Sequence, residues 1–366
     1  MRVLYFTERD TPHDQRFLGA LSGTHHQVLA LRQKECQPDT PTGVTELAWP
    51  EGRPDWTDWR SWQAGADKLA DLLDSVQPDL IHAGPVQGPA LISALAGFHP
   101  LVTMSWGSDL LLRAERSPWM RHATRYTLGH SDVFLADCQA VANQAVRFGF
   151  DAHRMAIFPW GVDLEHFSPE NGPQAAQALR ARLGWADHFI VMCNRTWDRL
   201  YGVDVLAQAF VRASQQEPAL RLLLAGDGPL SGQIKDLLNP VRGKVHFPGW
   251  LDRAGLPGAY CAANLYVSPS HCDGSSVSLL EALACGRPAL VSDIPSNREW
   301  IIPGEVGELF KDGDVDSLES QLLAIAARHD LAGYGKRARV LAESRADWEQ
   351  NFQICLAAYQ QAAAFG

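Results

Sequence analysis

The chain has 366 residues, of which 46% are apolar and 20% are charged, enough for two domains with sizeable cores. Its formal net charge of −10 argues against non-specific nucleic-acid binding as its main function. The seven cysteines are scattered and form no CxxC pair, which disfavours a zinc site or a disulfide framework and fits a reduced cytosolic compartment.

Short apolar runs alternate with helical patterns along the chain. The N-terminal run is too short for a signal peptide, and no run of about 18 apolar residues predicts a membrane span. The predicted strands are 2–6, 27–31, 79–83, 101–106, 133–137 and 155–160, then 189–194, 220–226, 244–249, 265–270, 288–293 and 307–310. Helical periodicity lies between them, for example at 61–76, 139–148, 203–216, 276–285 and 316–328. Continuous apolar strands separated by helices predict an α/β fold with two doubly wound, Rossmann-like halves.

The predicted linker is the stretch PWGVDLEHFSPENGPQ at 159–174, which is rich in proline, glycine and acids and lacks periodicity. We therefore predict an N-terminal domain over 1–160 and a C-terminal domain over 161–346. The tail over 347–366 has the pattern of one amphipathic helix, which can pack on either half.

The stretch HCDGSSVSLLEALAC follows a buried predicted strand, at the sheet edge where open α/β sheets bind ligands. Ser275 or Ser276 is the predicted N-cap of the helix that follows. Gly274 has no side chain and lets a ligand approach the backbone. Because the first amides of a helix are unpaired, this helix start suits a phosphate.

Two carboxylates, Asp273 and Glu281, stand eight residues apart around that helix start. Both accept hydroxyl protons. If a diphosphate rests on the helix start, one acid can reach hydroxyls at each end of the ligand, which is the layout of a sugar nucleotide. The alternative is that Asp273 caps the helix and Glu281 is solvated.

Arg195 and Arg199 lie between a predicted strand and a helix, where arginines can clamp diphosphate oxygens bidentately. The alternative is a pair of surface arginines on a loop. Gly226 and Gly228 form a further glycine turn at the same edge. A dinucleotide fingerprint does not fit this turn, because a proline interrupts it.

Five motifs of the C-terminal half resemble those of glycosyltransferase family 4, the glycosyl transferases group 1. They are LLLAGDGP, VHFPGWL, YCAANLYVSPS, DGSSVSLLEALACGRPALVSD and GELF. The resemblance covers about 155–330 well and the N-terminal half more loosely. It implies the GT-B fold, in which two Rossmann-like domains face each other across a cleft. It also implies that 1–160 binds the acceptor and 161–346 the nucleotide-sugar donor.

By this resemblance, Asp273 contacts hydroxyls of the donor sugar, Glu281 holds the ribose and Arg195 binds the diphosphate. The family usually has glutamate first; aspartate is one methylene shorter, which changes the sugar hydroxyl that it reaches. Arg199 or Tyr201 stands where the family has a lysine. The remaining donor-binding positions implied by the resemblance are Gly226, Gly228, Trp250, Leu251, Gly274, Ser275 and Ser276.

The N-terminal half keeps one histidine, His82, of the family's His-x-His, with Gly84 in the second place. His82 is the candidate for a catalytic contact with the donor sugar, and the alternative is a satisfied core histidine. The acceptor-side candidates are His13, Arg16, Gly84 and Asp109. A capped helix start is the alternative for His13 and Arg16, and a helix N-cap is the alternative for Asp109.

The resemblance implies a retaining transferase that moves a hexose-type sugar from a UDP- or GDP-sugar to a glycan, a lipid-linked or a small-molecule acceptor, as in cell-surface polysaccharide synthesis. Attack from the leaving-group side would let a diphosphate oxygen take the acceptor proton. No cofactor or metal is expected, and the acidic stretch KDGDVD at 311–316 is interpreted as a solvated turn. The alternatives are a sugar-nucleotide 2-epimerase of the same architecture and a non-catalytic nucleotide-binding protein.

The stretch 111–128 carries four arginines with a tryptophan and a methionine. Such a basic amphipathic segment can lie on an anionic membrane, and the alternative is a solvated helix face. The expected location is cytoplasmic, with or without contact to the inner membrane face. No nucleic-acid partner is expected.

Overall fold

The computed structural model describes residues 1–34, 40–50 and 58–365. The chain divides into two compact units, Met1–Phe158 with Phe352–Gly366, and Pro159–Asn351. The sequence places the corresponding boundary after residue 160. Cys36 lies outside the described residues, and the six cysteines within them are free thiols.

The N-terminal unit is built on a seven-stranded parallel sheet in the order β3-β2-β1-β4-β5-β6-β7. Its strands are β1 (Arg2–Thr7), β2 (Gln27–Arg32), β3 (Val44–Leu47), β4 (Leu80–Ala83), β5 (Leu101–Met104), β6 (Val133–Ala136) and β7 (Met155–Ile157).

The C-terminal unit has a six-stranded parallel sheet in the order β10-β9-β8-β11-β12-β13. Its strands are β8 (Phe189–Cys193), β9 (Leu220–Leu224), β10 (Val245–His246), β11 (Leu265–Ser268), β12 (Ala289–Ser292) and β13 (Gly307–Phe310).

Helices connect the strands of both sheets. They are α1 (Pro12–Ser22), α2 (Trp59–Val76), α3 (Pro89–Leu95), α4 (Ser108–Leu111), α5 (Pro118–Gly129), α6 (Gln139–Arg147), α7 (Pro173–Leu183), α8 (Val203–Gln216), α9 (Ser231–Leu238), α10 (Leu256–Ala262), α11 (Val277–Ala284), α12 (Val315–Ala326), α13 (Leu331–Arg345) and α14 (Trp348–Ala363).

Both sheets reverse their winding direction beside their first strand. In the N-terminal unit β1 lies between β2 and β4, and in the C-terminal unit β8 lies between β9 and β11. The predicted doubly wound α/β fold is therefore confirmed. Ligands of such sheets bind beyond the carboxyl ends of the strands at the switch point. In this protein those switch points lie at the ends of β8 and β11, and of β1 and β4.

The core of the C-terminal unit lies on both faces of its sheet. Successive residues of one strand enter opposite clusters: Val191 and Val267 pack on one face, and Met192 and Tyr266 pack on the other. This follows from the alternation of side chains along a strand. Because helices cover both faces of the sheet, its strands form continuous apolar runs, and these runs predicted the strands from the sequence.

Candidate active site

Two loops meet at the switch point of the C-terminal sheet. Strand β8 ends at Cys193 and leads into Arg195, and strand β11 ends at Ser268 and leads through Asp273 into helix α11. The two strands are hydrogen-bonded neighbours, with Tyr266 opposite Met192. Side chains that are 78 residues apart in the chain are thereby brought into contact.

The guanidinium of Arg195 is the centre of this site. Its Nη2 donates to Oδ2 of Asp273 at 2.6 Å, and its Nη1 donates to the hydroxyls of Ser276 and Ser278, each at 2.8 Å. The ring of Tyr201 lies against the guanidinium, 4.4 Å from ring centroid to Cζ. The side chains of Arg195 and Asp273 are only 11% and 18% exposed, so the ion pair is largely desolvated.

Burial and charge act in opposite directions on this pair. Burial alone would lower the pKa of Arg195, but the neighbouring carboxylate of Asp273 raises it above its usual value, so the arginine stays charged. Burial raises the pKa of Asp273, and Arg195 is the largest influence opposing that rise. The charged state of Asp273 therefore depends on a cationic partner.

Helix α11 begins beside this pair without a side-chain cap. Ser276 occupies the N-cap position, as the sequence predicts, but its hydroxyl accepts no hydrogen bond from the first-turn amides. It accepts from Arg195 instead, and Ser275 Oγ accepts from Trp300 Nε1 at 3.2 Å. The amides of the first turn thus keep their capacity to bind an anion. Gly274, the residue before these serines, is buried.

The second acid is tied to the same strand end by a tyrosine. Tyr260 Oη donates to Oε2 of Glu281 at 2.8 Å and accepts from Nδ2 of Asn194 at 2.8 Å. Both acids are therefore linked to the residues that follow β8. Asp273 bonds directly to Arg195, and Glu281 is connected to Asn194 through Tyr260. The structure brings the two acids together around one strand end.

Four polar side chains of this network were not identified from the sequence. They are Asn194, Tyr260, Tyr266 and Ser278. Tyr266 Oη donates to Ser278 Oγ at 2.8 Å, which supports the serine that accepts from Arg195. Both tyrosines lie within the motif YCAANLYVSPS, but only the fold shows that their hydroxyls point toward the end of β8.

The glycine turn after β9 packs against the loop that carries Arg195. Gly226 has φ +98°, and a Cβ on Gly228 would lie 2.6 Å from the carbonyl oxygen of Trp197. Gly226 N also donates to the carbonyl of Gly249 at 2.8 Å. These glycines are needed because backbone approaches backbone here.

The remaining donor-side candidates differ in exposure. Trp250, which follows Gly249, is 66% exposed, and Leu251 is partly buried against the core. Arg199 is exposed and makes no hydrogen bond or ion pair within the described part of the chain, whereas Tyr201 stacks on Arg195. Of the two residues considered for the place of the family lysine, only Tyr201 touches Arg195.

The position of His82 corrects its interpretation as a ligand-contacting residue. It lies inside β4 and not after it, and it has no exposed surface. Nδ1 is 2.6 Å from Tyr359 Oη, and the imidazole packs edge-on against Tyr5 and Phe17. Burial lowers the pKa of His82 to about 3, so the ring is neutral. It is a core histidine, which was the stated alternative.

Gly84 and Asp109 are also explained by packing. A Cβ on Gly84 would lie 2.6 Å from the carbonyl oxygen of Met104, so no larger residue fits in this backbone. Asp109 is 2% exposed and accepts from the amides of Val86 and Trp106, each at 2.9 Å. Burial raises the pKa of Asp109. The N-cap of α4 is Gly107 and not Asp109. The buried carboxylate of Asp109 instead joins two loops by its hydrogen bonds to Val86 and Trp106.

His13 and Arg16 lie in the first turns of α1 and are half-buried. The helix is capped by Thr11, whose hydroxyl accepts from the amide of Asp14. The neighbouring Asp14 is buried, and desolvation raises its pKa to about 6 although Thr11 and Tyr5 donate hydrogen bonds to it. The structure thus shows the capped helix start that was the alternative for this stretch.

The acidic stretch 311–316 is used locally. Asp314 caps α12 by accepting from Ser317 N, and Asp312 is 2.7 Å from Nδ1 of His271. Within residues 1–34, 40–50 and 58–365, no group of three or more histidine, cysteine or acidic side chains is arranged to hold a metal ion. In the same residues, no helix combines the length and the apolarity that a membrane span requires.

The chain is thus an α/β protein of the doubly wound class, and the switch point of its C-terminal sheet carries a largely buried arginine, two carboxylates and a helix start without a side-chain cap. The family comparisons agree. The model described as "Glycosyl transferases group 1" matches residues 187–328, and the model described as "Glycosyl transferase 4-like" matches residues 2–138. The chain belongs to the glycosyltransferases of this group 1, 4-like type.

Curated relatives point to the same family. The D-inositol 3-phosphate glycosyltransferase of Geodermatophilus obscurus is 29% identical over 250 residues, 64% of this chain and 54% of that protein. The sulfoquinovosyl transferase of Arabidopsis thaliana is 25% identical over 302 residues, 77% of this chain and 56% of that protein. The chain thus spans little more than half the length of these relatives.

Solved structures share the fold over the whole chain. The Anabaena protein Alr3699/HepE, in complex with UDP-glucose, has a TM-score of 0.80 at 19% identity and covers 98% of this chain and 100% of its own. The sucrose-phosphate synthase of Thermosynechococcus elongatus has a TM-score of 0.80 at 21% identity and covers 100% of both chains. At this identity the likeness establishes the fold alone.

Proposed function

We propose that the protein is a retaining hexosyltransferase of family 4 that takes a hexose from a UDP- or GDP-sugar and needs no metal or other cofactor. The observation that carries the proposal is the hydrogen-bonded set of Arg195, Asp273, Ser276 and Ser278 at the uncapped start of α11. Either base is compatible with the relatives: one solved neighbour holds UDP-glucose, and one Mycolicibacterium smegmatis relative, 25% identical, is named as GDP-mannose-dependent.

In this proposal the diphosphate rests on the first amides of α11 and on the guanidinium of Arg195. Negative charge grows on the diphosphate as the bond to the sugar breaks, and fixed donors that need no reorganisation stabilise that charge. Arg199, exposed at the same loop, adds a second cation. The charge that a metal would otherwise neutralise is then met by the two arginines and the helix start.

The two acids are proposed to hold the hydroxyls at either end of the donor. Glu281, oriented by Tyr260, accepts from the ribose, and Asp273 accepts from the hexose. Retention follows if the acceptor hydroxyl attacks from the side of the leaving group and passes its proton to the departing diphosphate oxygen. No side chain then has to act as a covalent nucleophile.

The first experiment is a thermal-shift screen of the protein against UDP-, GDP-, ADP- and dTDP-sugars. A ligand that binds only the folded protein raises its melting temperature. The donor found in this way is then tested with Glu281→Ala, and with Glu343→Ala as control because Glu343 is an exposed acid that forms an ion pair with Arg339. We expect Glu281→Ala to abolish the shift and the control to keep it. Equal shifts in both variants would remove Glu281 from the donor site.

The same donor separates the alternative activities. A transferase releases the sugar to water slowly when no acceptor is present and keeps the anomeric configuration when an acceptor is added. A 2-epimerase would return an epimeric sugar nucleotide, and a non-catalytic binding protein would return the donor unchanged. NMR of the reaction mixture distinguishes these three products.

We also propose that the protein works in the cytoplasm, at the inner membrane face, through residues 111–128. Arg113, Arg116, Arg121 and Arg125 are all exposed, and Leu112 is 38% exposed beside them. Basic and apolar groups on one surface suit anionic lipid headgroups. Co-sedimentation with phosphatidylglycerol vesicles, compared with phosphatidylcholine vesicles, tests this contact, and equal sedimentation with both would refute it.

A further inference from the structure

The N-terminal unit contains a second concave site at the carboxyl edge of its own sheet. The cavity has a volume of about 330 Å³. Its polar and charged lining comes from the segments after β1, β2 and β4 and from the turn after α4. These lining residues are Glu8, Arg9, Lys34, Gln87, Arg113 and Arg116. This volume falls within the range of small-molecule sites. The position beside the β1–β4 switch point is where such sheets bind ligands.

The cavity is strongly cationic although the chain as a whole carries a net charge of −10. Lys34 forms an ion pair with Glu8, so those two charges cancel. Arg9, Arg113 and Arg116 line the same cavity, and none of them forms an ion pair with a residue in the described part of the chain. Three like charges around one cavity repel each other, and an anion between them removes that repulsion.

Gln87 supplies a polar group of the opposite kind. It is 2% exposed, and its Nε2 donates to the carbonyl of Asp109 at 3.0 Å and to Thr124 Oγ1 at 2.7 Å. Thr124 gives its only hydroxyl proton to the carbonyl of Met120, which fixes the orientation of the amide. Gln87 Oε1 is buried and has no hydrogen-bond partner among the residues that the structure describes. A ligand hydroxyl that donates to it would remove the cost of leaving it unpaired.

Asp109 positions this amide. Its carboxylate accepts from Val86 N, and its backbone carbonyl accepts from Gln87 Nε2. The acidic residue that the sequence suggested as an acceptor contact thus acts on the cavity through its neighbours.

We infer that this cavity binds a phosphate ester that also carries a hydroxyl close to the phosphorus, and that this group belongs to the sugar acceptor. Three guanidinium groups match the charge and the several acceptor oxygens of a phosphate better than the single charge of a carboxylate. The hydroxyl satisfies Gln87 Oε1. The inference rests on the proposed function, because it names the acceptor class of that same transferase. The phosphate can belong to a soluble polyol phosphate or to a lipid headgroup.

The test uses the whole chain and two charge-matched double variants. Arg113→Gln with Arg116→Gln removes two cations from the cavity, and Arg60→Gln with Arg147→Gln removes two exposed arginines of the same unit that do not line it. Binding of glycerol 3-phosphate, with glycerol as the uncharged comparison, is measured by calorimetry. Binding to phosphatidylglycerol vesicles is measured by co-sedimentation. The thermal shift by the nucleotide sugar is recorded for every variant, and circular dichroism checks folding.

We expect glycerol 3-phosphate to bind and glycerol not to bind. The cavity variant should weaken binding of the phosphate at least about tenfold, because it removes two of the three cations that face the anion, and the control variant should bind as the unchanged protein does. A second comparison, Arg121→Gln with Arg125→Gln, removes two exposed arginines of 111–128 that do not line the cavity. If vesicle binding falls in the cavity variant and not in this one, the phosphate is that of a lipid headgroup, and the site assignment stands; an equal fall in both assigns vesicle binding to the surface of 111–128 and overturns the inference. If neither probe binds, or both double variants weaken binding equally, the inference is overturned. An unchanged shift by the nucleotide sugar in that case leaves the donor site intact and separates this failure from a failure of the proposed function.

Discussion

Replacement of Tyr260 by phenylalanine tests how the donor site holds Glu281. The substitution removes one hydroxyl from a fully buried ring and leaves the packing of the ring itself unchanged. That hydroxyl donates to Glu281 and accepts from Asn194, each at 2.8 Å. A hydrogen bond to a charged group contributes about 1.5–3 kcal/mol and a neutral one about 1 kcal/mol. We therefore expect the free energy of unfolding to fall by about 2.5–4 kcal/mol.

Donor binding should also weaken, because Glu281 loses the group that fixes its orientation. Losing one well-placed hydrogen bond to the ribose corresponds to a dissociation constant about tenfold higher. The measurements are urea unfolding and calorimetry with the nucleotide sugar identified by thermal shift. The matched control is Tyr334→Phe, since Tyr334 is also buried and donates to a glutamate, Glu308, but at 3.4 Å and outside the site.

The control should lose less than about 1 kcal/mol of unfolding free energy, because its bond is long, and should leave donor affinity unchanged. Unchanged donor affinity in Tyr260→Phe, together with a large loss in Glu281→Ala, would refute the idea that the tyrosine orients the acid. An affinity loss of the same size in Tyr334→Phe would show that the effect is general destabilisation.

Three further predictions address single residues. Asp273→Ala should reduce the preference between two donors that differ at one sugar hydroxyl at least about tenfold, measured as the ratio of their kcat/KM values in competition; an unchanged ratio would remove Asp273 from the sugar contact. Burial raises the pKa of Asp14 to about 6, so its neutral form favours the folded state at low pH. About 3 kcal/mol of unfolding free energy should be lost as the pH rises from about 4 through 6. Urea unfolding of Asp14→Asn should lack this pH dependence, and an equal change of unfolding free energy with pH in both proteins would contradict the assignment. Gly84→Ala should destabilise by about 1–3 kcal/mol, because its Cβ would lie 2.6 Å from the carbonyl oxygen of Met104, whereas Gly19→Ala in α1, with nothing within 4 Å, should be neutral or stabilising in thermal melts.

The doubly wound fold was predictable because its strands are buried on both faces. Each of the strands predicted from a continuous apolar run corresponds to a strand in the structure. Strand β3, Val44–Leu47, was missed because it is an edge strand whose middle residues, Thr45 and Glu46, are exposed and interrupt the apolar pattern. The edge strands β7, β10 and β13 were still predicted from their apolar runs, so the exposed polar residues of β3, and not its edge position alone, removed the signal.

Part of the candidate site was predictable from the sequence, and its contacts were not. The spacing of Asp273 and Glu281 and the position of Arg195 after a strand were visible in the sequence, but the contact between Arg195 and Asp273 depends on the pairing of β8 with β11. His82 was assigned to the ligand edge by resemblance to the family's His-x-His, although the predicted strand 79–83 already contained it, and the structure places it inside β4 with no exposed surface. Tyr260 was missed because a buried aromatic carries the same apolar signal whether or not its hydroxyl is used.

In this structure the charge of Arg195 is balanced by the carboxylate of Asp273. If the diphosphate of the proposed donor binds Arg195, it competes with Asp273 for the guanidinium, and the measured affinity is then the difference between two sets of contacts. A carboxylate that loses its arginine while still shielded from water needs a new donor at once, and a correctly placed hydroxyl of the sugar is one. An epimer without that hydroxyl would leave the buried carboxylate of Asp273 without a hydrogen-bond donor. The free-energy cost of that unpaired charge would lower the affinity for the wrong donor.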